Sequence, residues 1–142
     1  MKFTCTKENI SQVLGLAGSI AGRQTSLPIL TNVYIDAKES GVEIIGTNLE
    51  IAIKAHLRAK VEQTGNFTVP AKMILDYINL LPEEQVVLTL EGNELLVSCG
   101  NSNTKIKGMP SDEFPVIPEI EEQHAYAVDV QQLKTALQQV VI

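Results

Sequence analysis

Apolar residues recur along this chain with two alternating periods. Lys2 to Cys5 reads as a short strand. Ile10, Val13, Leu14, Ala17 and Ile20 then fall three and four residues apart, the spacing that puts them on one face of a helix from about Lys7 to Ile20. Gly18 and Gly22 mark its end, and Arg23-Gln24-Thr25-Ser26 reads as a polar loop. In Leu27-Pro28-Ile29-Leu30 the proline, with its fixed φ and missing N–H, argues against helix. Strand patterns follow at Asn32 to Ala37 and Val42 to Gly46, with Lys38 to Gly41 as the turn between them. After a break at Thr47-Asn48, Leu49 to Glu62 reads as one long alternating strand, with Leu49, Ile51, Ile53, Ala55 and Leu57 sharing a face.

The pattern then restarts. Phe67-Thr68-Val69 is a strand, and Pro70 suits the first turn of a helix, where its missing N–H would be unpaired anyway. Ile74, Leu75, Ile78 and Leu81 carry that helix to Pro82. Strands are expected at Val86–Leu90, Glu94–Ser98 and Thr104–Lys107, with Gly92 and Gly100 in the turns. Pro110, Pro115 and Pro118 punctuate an acidic connector ending at Glu121-Glu122. A second restart has Ala125 to Val128 as a strand, Asp129 as N-cap with Gln132 three residues on, and Leu133, Ala136, Leu137 and Val140 at helical spacing.

The three openings superpose. Phe3-Thr4 maps onto Phe67-Thr68, and Ile10 and Leu14 then fall on Ile74 and Ile78. With Phe3 placed on Tyr126, Ile10, Val13, Leu14 and Ala17 fall on Leu133, Ala136, Leu137 and Val140. The physical reading is an α+β fold built from duplicated βαβββ units, with two helices packed side by side on antiparallel sheets. Chance recurrence of strand–helix openings, common in α+β proteins, is the plainer alternative. The third opening would begin a second domain. Its helix runs out at Ile142 with no sheet to cover its apolar face, so the chain is expected to be an N-terminal fragment. Residues 1–120 would form the first domain, and 121–142 a linker with the truncated start of the next.

Composition narrows the function. The 142 residues are 44% hydrophobic and 20% charged, which excludes wholesale disorder, and with no Trp the core must rest on Ile, Leu, Val and Ala. A net charge of −6 excludes a uniformly basic coat for nucleic acid. The charge is segregated, however. The helical segments 7–20, 71–80 and 129–142 hold three bases against three acids, while the remainder holds eight against fourteen. That layout would let DNA approach the helical side alone. From charge alone, an ordinary solvated surface with acidic turns is the simpler reading.

Catalytic constellations are not evident. His56 lies on an outward face of the alternating strand, His124 beside the acidic connector, and neither has a Cys or His partner at metal spacing. Glu83-Glu84, Asp112-Glu113 and Glu121-Glu122 are adjacent pairs, whose side chains point apart. Gly18 to Arg23 resembles a phosphate loop, but it follows a helix and lacks the Gly-Lys-Ser/Thr ending. Cys5 and Cys99 lie far apart without metal spacing, which fits a reduced, cytoplasmic protein, and no apolar signal region opens the chain. No enzyme activity, metal or cofactor is expected.

Six segments in order carry a family resemblance: Met1-Lys2-Phe3-Thr4, Arg23 to Leu30 (RQTSLPIL), Gly46-Thr47-Asn48-Leu49-Glu50, Val69-Pro70-Ala71-Lys72, Leu80-Leu81-Pro82, and Ser111-Asp112-Glu113-Phe114-Pro115. Together they resemble the first domain of the bacterial sliding clamps, the beta subunits of DNA polymerase III. The resemblance implies a ring of two three-domain subunits around duplex DNA. Helices would line the hole, loose contacts would be made to phosphates, and the DNA polymerase III catalytic subunit and the clamp loader would be held through later domains. It implies that Arg23 contacts DNA, with Lys7 and Lys72 carried by position on the lining helices. It also implies that the strand Thr104, Lys105, Ile106, Lys107, bordered by Met73, meets the other subunit of a homodimer. Close relatives often place basic residues at that edge, where this chain has Asn101 and Asn103. A different class of function stays open: a non-enzymatic module that binds peptides along a sheet edge and never meets DNA.

Overall fold

The computed structural model describes residues 1–22, 27–121 and 124–141. In chain order the elements are β1 (Lys2–Thr6), α1 (Lys7–Gly18), β2 (Asn32–Lys38), β3 (Gly41–Thr47), β4 (Ala52–Leu57), β5 (Lys60–Gln63), β6 (Gly65–Pro70), α2 (Ala71–Leu80), β7 (Gln85–Glu91), β8 (Glu94–Cys99), β9 (Ser102–Lys107) and α3 (Val130–Val140). Short 3-10 turns occupy Pro28–Thr31 and Ser111–Glu113.

The strands form two antiparallel sheets, ordered β5-β1-β7-β8-β9 and β4-β3-β2-β6. Each half of the duplication gives its first strand away. β1 lies against β7 in the sheet of the second half, and β6 lies against β2 in the sheet of the first. The exchange keeps register: Phe3 faces Leu88 and Cys5 faces Val86, while Phe67 faces Ile35 and Val69 faces Val33. The α+β fold of duplicated βαβββ units is thus present, with its halves interlocked. A second link joins the sheets where β9 ends. Met109 and Thr68 exchange backbone hydrogen bonds of 2.9 and 3.1 Å, and the Thr68 hydroxyl also donates to the Met109 carbonyl and accepts from the Asn32 amide.

Both helices lie on one continuous core. Ile10, Val13, Leu14 and Ala17 of α1 are buried, as are Ala71, Ile74 and Ile78 of α2, together with Phe3, Ile35, Ile44, Phe67, Leu88 and Leu95 from the sheets. Thr6 caps α1 by accepting from the Asn9 N–H. The helices run antiparallel, because the end of α1 meets the start of α2 (Gly18 against Ala71) and Ser11 donates to Asn79 at the opposite ends. A smaller cluster of Ile29, Leu30, Ile45 and Phe114 includes a Tyr34–Phe114 ring stack at 5.3 Å.

The structure corrects four expectations. Leu49 to Glu62 is not one strand. Asn48 Oδ1 accepts from the N–H groups of Glu50 and Ile51, Leu49 takes a φ of 75°, and Leu49 and Ile51 are exposed. A further break at Arg58-Ala59 moves the chain from the β4 sheet to β5 in the other sheet. Pro28 does not prevent helix, because it opens a single 3-10 turn, where no N–H is needed. Pro70 ends β6 and caps α2 rather than entering its first turn. Finally, residues 125–128 pair with no strand among the described residues, and an extended segment without a ladder partner has nothing to hold it as a strand. The helix after it does form, capped by Asp129, whose carboxylate accepts from the Gln132 N–H at 2.9 Å.

Candidate nucleic-acid interface

The antiparallel helix pair leaves a groove of about 680 Å³ beside the end of α1 and the start of α2. Gly15, Gly18, Ser19 and Gly22 form one side, and Lys72, Leu75 and Asp76 the other. The glycines of α1 leave this side of the groove open: a Cβ at Gly15 would meet nothing, and one at Gly18 only the Ala71 methyl. Lys72 is the charge that this groove offers to an anion. Its side chain is 86% exposed, and its ammonium meets Asp76 at 2.6 Å.

Lys7 lies elsewhere. It opens α1 at the far end of the pair, where its N–H donates to the Glu84 carbonyl beyond α2. The structure therefore separates Lys7 and Lys72 by the length of the helix pair. Arg23 lies outside the described residues, and its described neighbour Gly22 lines the same groove as Lys72.

The strand named for subunit contact, β9, is an unpaired edge of its sheet. Lys105 and Lys107 are exposed, Thr104 is half-buried, and Ile106 turns into the core, so Ile106 offers an edge partner only its backbone. Lys105 is held by Glu91 at 2.9 Å and Glu94 at 3.9 Å, and these carboxylates push its ammonium above the ordinary lysine range. Met73 is exposed on α2. With Tyr77 and Leu80 it makes an apolar stripe four and three residues apart. The family resemblance points to Met73 alone for the joint; Leu80 enters only within the Leu80-Leu81-Pro82 segment, and Tyr77 not at all. The signal was present as helical spacing on the side of α2 away from its buried face.

Both thiols are buried. Burial pushes the Cys5 thiol up from an ordinary 9.0 to about 12. The Cys99 thiol is raised too, by burial first and by Glu84 second. Native protein should therefore resist alkylation at pH 8 and take up two labels only after unfolding. The raised folded-state value also fixes the sign of a pH effect. The folded protein keeps the Cys5 proton that an unfolded chain releases near pH 9, so this contribution is intact below pH 9 and lost as pH climbs towards 12. A Cys5→Ala variant should show a shallower alkaline loss of stability than the parent, read by urea unfolding at rising pH. Among the described residues, no group of three or more His, Cys, Asp or Glu is placed to hold a metal. Nor is any helix among them long and apolar enough to cross a membrane.

Two helices of balanced charge on a duplicated pair of sheets, with an unpaired strand at a sheet end, define a class: α+β domains built from two βαβββ units that carry their helices on one side and a free strand edge. A family profile described as the DNA polymerase III beta subunit, N-terminal domain, matches residues 1–118. The chain belongs to that family. It is 32% identical to the beta sliding clamp of Staphylococcus aureus (strain N315), over 98% of this chain and 39% of that protein. To the beta sliding clamp of Bacillus subtilis (strain 168) it is 27% identical, over 99% and 40%. The solved sliding clamp of Bacillus subtilis matches 98% of this chain and 39% of its own at a TM-score of 0.91 and 26% identity. A beta subunit from Pseudomonas aeruginosa matches 97% and 38% at 0.90 and 26%. The chain spans about two fifths of the length of these curated relatives.

Proposed function

We propose that this chain supplies the first domain of a sliding clamp, a non-catalytic processivity factor that encircles duplex DNA and tethers the replicative polymerase. The family membership of residues 1–118 carries this reading. On it, residues 1–120 are the first clamp domain and 121–142 are a linker and the start of the second. The helical side faces DNA, with Arg23, Lys7 and Lys72 as loose phosphate contacts. The β9 edge from Thr104 to Lys107, with Met73 beside it, is the subunit joint of a homodimer. The DNA polymerase III catalytic subunit and the clamp loader would engage later domains, and the protein would work in the cytoplasm. Three observations support the DNA-facing side: the balanced charge of α1 and α2, the exposed Lys72, and a groove open to solvent.

The test is a chimera in which this chain replaces the corresponding part of the Bacillus subtilis clamp. Loaded onto nicked circular DNA, it should stay bound to circles and run off when the DNA is linearised. Equal retention on circles and linear DNA would mean ordinary binding and end the proposal. In the isolated chain, Arg23→Ala should weaken duplex binding several-fold at low salt, with the difference shrinking as salt rises.

A further inference from the structure

Building on the proposed approach of DNA to the helical side, we propose that Asp76 competes with DNA phosphate for Lys72 and so keeps this contact weak and quickly exchanged. Lys72 and Asp76 are the only ionisable residues among the described ones lining the groove, and they are bound to each other at 2.6 Å.

The pair is poorly explained as a device for holding α2 together. Lys72 is the second residue of α2, in the first turn, where the helix dipole disfavours a cation. Asp76 lies mid-helix, too far from either end to gain from the dipole. The order, base first and acid four residues later, is the weaker of the two for such pairs. The N-terminal turn of α2 carries no acid at all. Seen from the ligand, the same arrangement makes sense. The dipole that opposes Lys72 favours a phosphate at that end, and the ammonium adds to it. The Asp76 carboxylate occupies the ammonium when no phosphate is there.

A phosphate that takes Lys72 shares the ammonium with Asp76 or displaces it, and either way sits beside a carboxylate of like charge. Each contact is therefore weakened by the carboxylate already there. When the phosphate moves on, Asp76 receives the ammonium again, so the lysine has a partner between successive phosphates. Both groups are well exposed, 86% and 58%, so the exchange requires no opening of the fold.

The experiment is an NMR titration of the labelled chain with a short blunt DNA duplex, following backbone amides of α1 and α2 at low and high salt. Asp76→Asn should tighten binding about twofold at low salt, the worth of an exposed pair four residues apart on a helix, and the gain should fade with salt. Asp76→Glu, which keeps the charge, should bind like the parent. The decisive variant is Lys72→Gln with Asp76→Asn, in which the gain should vanish. A gain that persists without Lys72 would mean general relief of negative charge and overturns the proposal. Loss of affinity in Lys72→Gln with no change in Asp76→Asn overturns it too, while leaving the DNA-facing reading intact. If the parent chain shows no shifts on α1 or α2 with duplex at low salt, the DNA-facing reading itself fails. Thermal unfolding of every variant should stay close to the parent.

Discussion

Gly46→Ala should destabilise the protein by about 3 kcal/mol or more and lower its melting temperature by about 10 °C. Gly46 is buried in β3, directly beneath the last turn of α1. A Cβ there would overlap the Ala17 carbonyl oxygen, with the carbonyl carbon only 2.8 Å away. The obstruction is backbone, so no side-chain rotation relieves it. The φ of Gly46 is not left-handed, which places the cost in space rather than in conformation. To make room, the end of α1 must rise from the sheet. Ala17 and Leu14 would lose their burial, and Gly18 would leave Ala71, closing or tilting the groove beside Lys72. The variant should therefore shift α1 and α2 amides even where it stays folded. Urea or thermal unfolding settles the matter: a melting temperature within about 2 °C of the parent would mean that α1 is not seated as described.

The requirement at Gly46 was not legible in the sequence, where Gly46 read as the end of a strand. Periodicity reports which face of an element is apolar, but not how closely two backbones pass. It located α1, α2 and α3 because their apolar faces repeat at helical spacing, and it located β2, β3 and β7 to β9 by alternation and turn glycines. It failed where the pattern continued across a change of partner. Leu49 and Ile51 alternate perfectly with Ile53, yet the Asn48 turn exposes both. The break at Arg58-Ala59 leaves no trace in hydrophobicity, because a strand has the same period whichever sheet holds it. The expected strand at 125–128 shows the converse, a short apolar run with no ladder to join among the described residues. At the site, Lys72 and its position on a helix were readable, and so was the four-residue spacing to Asp76. Their place across a groove from the small residues of α1 depends on the antiparallel helix pair, which only the fold supplies.

Strand exchange between the halves was also hidden, and it carries a second large effect. Phe3→Ala and Phe67→Ala should each cost about 3–5 kcal/mol, and the two costs should be similar. The two rings occupy matching places. Each lies on the first strand of its unit, on the strand given to the other half's sheet, and each is buried at 0% and 3% exposure. Were β1 simply a terminal strand, Phe3→Ala would loosen the sheet of β7 and β8 locally and spare that of β2 and β3. Because β1 belongs to the unit of β2, β3 and β4 but completes the sheet of β7, β8 and β9, its loss removes support from both. Hydrogen exchange distinguishes the two outcomes. Phe3→Ala should speed exchange in β2 and β3 as much as in β7 and β8, since all then open through one global transition. Exchange that quickens in the sheet of β7 and β8 alone would show the halves to be separable folding units. The interlock would then be a matter of register and not of cooperativity.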